Sequence, residues 1–194
     1  MQALISLLDD PDTSIFDDVS QKIISYGERA IPYLEFAWEN SFDHLLQNRI
    51  EDIIHHLQYQ NIKVELVSWK NKEKHNLIDG AIIVAKYQYP DLEEDKIRNQ
   101  IKQITQDVWL ELNDNLTALE KIKVLNRIIF EIHGFYGNTK NINSPKNSYI
   151  NNVIERKKGN PITLGILYLA ICENLDIPMY GVDVPAHFVL AYAE

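Results

Sequence analysis

The run of residues from Ile162 to Leu175 constrains the fold more than any other part of the chain, because nearly every side chain in it is apolar. Asn160 and Pro161 stand immediately before this run. Asparagine is a favoured N-cap, and proline is tolerated at the first helical position, where its missing N–H removes no hydrogen bond. The pattern predicts one helix that begins at Pro161 and is buried on most of its surface.

The segments on either side of this helix predict a short helix and two strands. Ser148 is the expected N-cap of a helix over Tyr149–Lys158, and Gly159 is expected to end it. Two β-like runs follow the long helix, Met179–Val184 and His187–Tyr192. These elements predict a buried helix whose first turn faces the start of a strand.

Thr163 and His187 are the candidate catalytic pair. Counted from Asn160 as the cap, Thr163 is the third helical residue, where unpaired N–H groups and a partial positive charge favour a nucleophile or a developing oxyanion. Many Cys-His hydrolases and acyltransferases place nucleophile and base in this way. A threonine hydroxyl needs a base, and His187 is the nearby candidate. The alternative interpretation is structural: the Thr163 hydroxyl satisfies backbone, and His187 is a hydrogen-bonded histidine.

The single cysteine, Cys172, is the other candidate nucleophile. It lies three turns into the apolar helix, away from the activating N-terminus. We expect a buried thiol with a raised pKa that packs in the core and is inert. One cysteine also excludes an internal disulfide and fits a reducing cytoplasm.

Composition limits the possible functions. The chain has 194 residues, of which 45% are hydrophobic and 24% are charged, as in an ordinary soluble globular protein. Its net charge of −9 argues against non-specific binding to nucleic acid or an anionic membrane. We expect no metal and no cofactor, because the sequence has no metal motif, phosphate loop or dinucleotide-binding glycine pattern.

The first part of the chain predicts helices. They are expected over about Ser14–Tyr26, from about Ala30, and over about Leu45–Gln58. The acidic-proline turn at Asp9–Asp12, the mid-hairpin glycine and an Ala-Ile-Pro sequence resemble one HEAT-type helical hairpin. A helical cap on the next domain is the alternative. The mixed, charged run Asn61–His75 indicates a loose boundary, so the predicted regions are residues 1–75 and 76–194.

Three more helices are predicted before the central stretch. They cover Leu77–Tyr87, Leu92–Leu112 and Leu119–His133, and Thr117 is the expected cap of the last one. The expected inward faces of the second and third helices include Trp109 and Ile132.

The central stretch is similar to the transglutaminase-like superfamily, in particular the SirB-type, or "transglutaminase core 2", branch. Its motifs appear as Asn147–Tyr149, Gly159–Leu164 and Pro185–Phe188, and the resemblance covers roughly residues 76–194. In active members a cysteine starts the core helix, a histidine opens the next strand and an aspartate follows.

The resemblance assigns roles to particular positions. Thr163 stands at the position of the cysteine and His187 at that of the histidine, and the motif residues Asn160, Pro161, Pro185 and Phe188 are the expected binding residues. No residue matches the aspartate, because the chain ends at Glu194, seven residues after the histidine. The chain is therefore expected to be a fragment of a longer protein.

The predicted fold class is α+β and mostly helical: a helical N-terminal region, then a truncated papain-like or transglutaminase-like core with a small antiparallel sheet. The leading hypothesis is a non-catalytic module that binds a protein or peptide in the degenerate cleft. The alternatives are an acyl-transfer or amide-hydrolysing enzyme that uses Thr163 and His187, and a HEAT-type interaction scaffold.

Overall fold

The structure, a computed structural model, describes residues 1–74, 76–185 and 187–193. Contacts within the chain divide it into two units, Met1–Ser68 and Trp69–Glu194. The predicted mostly helical α+β class with a small antiparallel sheet is confirmed.

The first unit is helical. It contains α1 (Gln2–Ile5), α2 (Thr13–Ile24), a 3₁₀ turn (Gly27–Ala30), α3 (Ile31–Glu39) and the first part of α4 (His44–Lys70). Its core is formed by buried aliphatic side chains, including Leu8, Ile23, Leu34, Ile50, Ile53 and Leu57.

Helix α4 continues through the charged run from Asn61 to Lys70, and the division between the two units, at Ser68 and Trp69, lies within the run where a loose boundary was predicted. Lysine and glutamate are good helix formers, so a charged segment can continue a helix. The faces of such a helix that point to solvent need no apolar residues. Just before the helix ends, the Trp69 indole N–H donates to the backbone oxygen of Asn76 over 2.7 Å.

The second unit packs helices around one buried helix. Its elements are α5 (Leu77–Gln88), α6 (Glu94–Trp109), α7 (Ala118–Asn126), a π-helical turn (Arg127–Ile132), β1 (Tyr136–Gly137), a 3₁₀ turn (Pro145–Asn147), α8 (Ile150–Arg156), β2 (Lys158–Gly159), α9 (Pro161–Asn174), β3 (Met179–Val184) and β4 (His187–Tyr192). Helix α9 contacts α5, α6, α8, β3 and β4. The prediction of a largely buried helix is confirmed, since buried residues recur along α9 from Thr163 to Cys172.

The strands form two small sheets. β3 and β4 pair antiparallel, with Val184 opposite His187 beside the turn, so both predicted strands are confirmed. β1 and β2 form a short parallel pair that the sequence did not predict. The Asn138 N–H extends this pairing by donating to the Gly159 oxygen over 3.1 Å. This pairing holds the segment after β1 against the start of α9.

The expected caps of α8 are wrong. Its N-cap is Tyr149, which makes no side-chain cap bond, and Ser148 instead accepts a hydrogen bond from Asn160. The left-handed residue after α8 is Lys157, with φ 58°, and Gly159 lies in β2.

The predicted inward positions of Trp109 and Ile132 are also wrong, because these side chains are 65% and 57% exposed. Trp109 follows buried Val108 directly, which turns it about 100° away from the core face of α6. Ile132 ends the π-helical turn, whose extra residue shifts the helical phase that the sequence pattern assumes. The predicted cap Thr117 is confirmed, with a reciprocal Thr117–Glu120 capping box.

Candidate functional site

The first turn of α9 is organised by the Asn160 side chain. Its Oδ1 accepts the Thr163 backbone N–H over 2.8 Å and the Thr163 hydroxyl over 3.0 Å. The predictions that Asn160 is the N-cap and that Pro161 is the first helical residue are confirmed. The cap satisfies one of the N–H groups that a helix start leaves unpaired.

Behind this cap lies a set of polar groups that we call the asparagine network, formed by Asn138, Asn147, Ser148, Asn160 and Thr163. Asn160 Nδ2 donates to Ser148 Oγ over 2.9 Å, and the Asn160 backbone N–H donates to the Asn147 oxygen over 3.1 Å. Asn138 Nδ2 donates to Asn147 Oδ1 over 2.9 Å. The network therefore joins the segment after β1, the start of α8 and the start of α9.

Asn147 is the most buried side chain of the asparagine network, with 1% of its surface exposed. Its Nδ2 donates to the backbone oxygens of Asn141, over 2.8 Å, and Ile142, over 3.2 Å. Both ends of its carboxamide are thus hydrogen-bonded. Asn147 was expected only as part of a family motif and Asn138 was not expected at the site, although asparagine recurs between residues 138 and 160.

Thr163, the predicted nucleophile, is buried with 3% of its surface exposed. Its hydroxyl has a single proton, and that proton is directed to Asn160 Oδ1. Among the residues that the structure describes, no hydrogen bond joins Thr163 to His187. In this arrangement Thr163 acts as a part of the helix cap.

Phe188 holds the β3–β4 hairpin against α9. A Cβ added to Gly165 would lie 2.4 Å from Phe188 Cε1, and one added to Gly181 would lie 2.6 Å from Phe188 Cζ. The ring therefore fills the space between one glycine on the helix and one on β3. Neither glycine has room for a larger residue unless Phe188 moves.

His187, the predicted base, is exposed at the start of β4. Successive side chains of a strand point to opposite faces. Because Phe188 faces α9, the His187 side chain lies on the outer face of the hairpin, the same face as exposed Val189. Pro185 lies in the turn before it, and Ala186 is outside the described residues.

A small cavity of about 180 Å³ opens at the start of α9. Asn160 and Pro161, two of the predicted binding residues, line it together with Gly137, Asn138 and Asn147. The other two, Pro185 and Phe188, lie on the hairpin. Exposed apolar side chains stand at this end of the helix: Ile142, 69% exposed, lines the cavity, and Ile162, 56% exposed, follows Pro161.

Cys172 lies in the core, and the prediction of a buried cysteine is confirmed. Burial raises the pKa of its thiol to about 12. At neutral pH the thiolate that attacks electrophiles is therefore scarce, and the thiol is an unreactive packing group.

Within residues 1–74, 76–185 and 187–193, no helix is both long and apolar enough to cross a membrane. In the same ranges, no group of three or more His, Cys, Asp or Glu residues could hold a metal ion.

Comparison with known protein families shows to which family this chain belongs. The profile of the transglutaminase-like superfamily matches residues 95–194, which is more than half of the chain and includes Thr163 and His187. The chain belongs to the transglutaminase-like superfamily. The matched region runs from the first turn of α6 through β4 and so contains the asparagine network.

Several curated proteins are similar to part of this chain. A UPF0162 protein of Xylella fastidiosa is 32% identical over 114 residues, which are 59% of this chain and 41% of the relative. A UPF0162 protein of Pasteurella multocida is 30% identical over 95 residues, 49% of this chain and 36% of the relative. F-box only protein 21 of Homo sapiens is 30% identical over 73 residues, 38% of this chain and 12% of the relative.

The match thus spans about two fifths of the length of the Xylella relative. No solved structure is significantly similar to the chain.

Proposed function

We propose that this protein is a non-catalytic member of the SirB-type branch of the superfamily and that it binds a protein or peptide partner at the start of α9. The observation that carries the proposal is the Thr163 hydroxyl. By the motif resemblance this residue stands where active members have their cysteine; in the structure it is buried, and its hydroxyl donates to the Asn160 cap over 3.0 Å. A group held in this way is an anchor for the helix and not a free nucleophile.

The other requirements of catalysis point the same way. The chain's cysteine is three turns away with a raised pKa, and His187 lies on the outer face of the hairpin. An acyl-transfer or amide-hydrolysing enzyme that uses Thr163 and His187 would need the hairpin to turn its outer face toward α9. The packing of Phe188 between Gly165 and Gly181 opposes that movement.

Binding is supported by the apolar surface at the start of α9. The polar groups of the asparagine network bond to one another, whereas Ile142, Pro161 and Ile162 are exposed. The fully buried core of a protein interface is more apolar than the rest of the surface, so exposed apolar groups beside a cavity are suitable for contact with a partner. The match to 12% of F-box only protein 21 supports a domain that serves as one part of larger proteins.

We also propose that the first unit is a HEAT-type hairpin that offers an interaction surface. Tyr33, Phe36 and Phe42 are 54%, 63% and 98% exposed there, and large aromatic side chains are enriched at interfaces. Serine in place of Phe36 and Phe42 should weaken binding of a partner of the full-length protein. Unchanged binding would contradict this role.

The single cysteine further supports a cytoplasmic location, because structural disulfides are rare in that compartment. Fractionation of the producing cells checks this location.

The absence of catalysis can be tested with a chromogenic ester and a chromogenic anilide as general acyl donors. We expect the wild type and the Thr163→Ala variant to show the same background rate. Turnover by the wild type that both Thr163→Ala and His187→Ala remove would overturn the proposal and establish the enzyme alternative.

The binding site can be tested with short random peptides displayed on phage and selected on the 194-residue chain. Peptides that bind at the start of α9 should lose affinity for Ile142→Ser and Ile162→Ser. Lys140→Ser, an exposed change in the same segment, is the control. If no selected peptide distinguishes the two isoleucine variants from the wild type, the start of α9 is not the binding site.

A further inference from the structure

A second, larger groove lies between α6 and α8, with a volume of about 840 Å³. Buried Ile97 and Ile154 lie along it, one from each helix. Carboxamide side chains line it from both helices: Asn99, Gln100 and Gln103 from α6, and Asn151 from α8. The volume is within the range of about 300–1,000 Å³ that is typical of ligand sites.

One carboxamide of this groove, that of Asn151, has an unused hydrogen-bond acceptor. Asn151 Oδ1 is buried and has no hydrogen-bond partner within the described part of the chain. Burying such an acceptor unpaired destabilises a fold, so native proteins rarely retain one without a compensating role. Gln103 is partly fixed, because its Nε2 donates to Asp107 Oδ1 over 3.0 Å.

The charges that line the groove select the kind of ligand. Glu93 and Glu155 are balanced by Lys96 and Lys157, so the formal charge of the lining is zero. Lys96 is already paired with Glu93 over 2.5 Å. This balance disfavours phosphates and metal ions and favours an uncharged polar ligand. Sugars are commonly stacked on aromatic rings, and none of the described residues that line the groove is aromatic.

Lys157 also lines the groove. It has a left-handed backbone with φ 58°, a conformation that non-glycine residues adopt mainly where the surroundings enforce it. Its ammonium lies 4.3 Å from the centroid of the Phe135 ring, a cation–π contact that fixes the side chain. Burial lowers the pKa of this ammonium.

We propose that the groove between α6 and α8 binds an extended, uncharged peptide segment through hydrogen bonds from its carboxamides to the peptide backbone. A carboxamide presents one acceptor and two donors, which match the N–H and C=O of a peptide group. Asn151 lines the groove but its unpaired Oδ1 is buried, so a bound peptide would reach this oxygen by rotation about the last side-chain bond, which is soft in asparagine. The groove lies between helices α6 and α8, and it is separate from the proposed binding site at the start of α9.

The test uses the 194-residue chain and a phage-displayed library of short random peptides without charged residues. A selected peptide is synthesised, and its affinity is measured for the wild type, Gln100→Ala and Asn151→Ala. We expect each variant to bind about tenfold more weakly or worse. Gln106→Ala is the matched control, since Gln106 lies on α6 but does not line this groove, and it should bind as the wild type does.

Two further measurements separate recognition from stability. A peptide with methylated backbone nitrogens should lose binding, because its donors are blocked. Asn151→Ala should keep or raise the denaturant midpoint while it weakens binding, which a merely structural residue would not do. The proposal is overturned if the library yields no binder, if Gln100→Ala and Asn151→Ala bind as the wild type does, or if the methylated peptide binds equally. If affinity falls only in Ile142→Ser and Ile162→Ser, the peptide binds at the start of α9, and the proposal that it binds in the groove is likewise overturned.

Discussion

The start of α9 and the helix α8 both bury asparagine side chains, but they treat them differently. At the start of α9, Asn147 and Asn160 have hydrogen-bonded partners at both ends of the carboxamide. On α8, Asn151 Oδ1 and Asn152 Nδ2 are buried without hydrogen-bond partners in the described ranges. Asn152 is only 8% exposed. The two regions are adjacent in sequence, and both are rich in asparagine.

This difference separates structural from available polar groups. A buried and fully bonded amide stabilises the fold and has nothing to offer a ligand. A buried and unpaired amide destabilises the fold, and native proteins rarely keep one without a compensating role. By this criterion Thr163, whose N–H and hydroxyl bond to the Asn160 cap, is part of the scaffold, whereas the groove beside α8 is the proposed binding surface.

The largest expected effect is that of Asn147→Ala. It removes three hydrogen bonds at a buried site and leaves their partners unpaired, so we expect the free energy of unfolding to fall by about 3 kcal/mol. Denaturant titration measures this change. Asn141→Ala, at an exposed position whose backbone groups remain, should change stability by less than about 0.5 kcal/mol. Equal small effects would mean that the asparagine network is not structural.

A smaller loss is expected for Asn160→Ala, which removes the cap of α9. The free energy of unfolding should fall by about 1–2 kcal/mol. Asn160→Asp keeps both bonds from Thr163 and loses the donor to Ser148, so it should recover most of that stability. If aspartate were as damaging as alanine, the bond to Ser148 and not the cap would be the stabilising interaction.

The smallest expected effect is that of Asn151→Ala. Removal of an unpaired buried acceptor should leave stability unchanged or raise it by up to about 1 kcal/mol. Thermal and denaturant unfolding measure this. A loss comparable with that of Asn147→Ala would show that Asn151 has a structural partner, and the comparison between the two regions would fail.

Local patterns were sufficient to predict α9 and its surroundings. The Asn160–Pro161 start, the apolar run after it and both strands of the β3–β4 hairpin follow from capping, hydrophobicity and turn residues. These are short-range properties of the chain, which is why they can be inferred from sequence.

Features that depend on contacts between distant segments were not predicted. Ser148 has a suitable side chain for a cap, but it bonds to Asn160 instead. The β1–β2 pair joins Tyr136 to Lys158, and no local pattern announces this pairing. The groove beside α8 is formed by residues about 50 positions apart, so neither helix alone reveals it.

Introducing a thiol at Thr163, the proposed position of the family's cysteine, tests the central claim most directly. Thr163→Cys is prepared in a Cys172→Ala background, with and without His187→Ala, and the rate of alkylation by iodoacetamide is measured in the native state. Because the position is 3% exposed and His187 lies on the outer face of the hairpin, we expect slow reaction that accelerates in denaturant and does not depend on His187. Fast alkylation of the native protein that His187→Ala slows would contradict this account, since it would show that the two positions still form a catalytic pair.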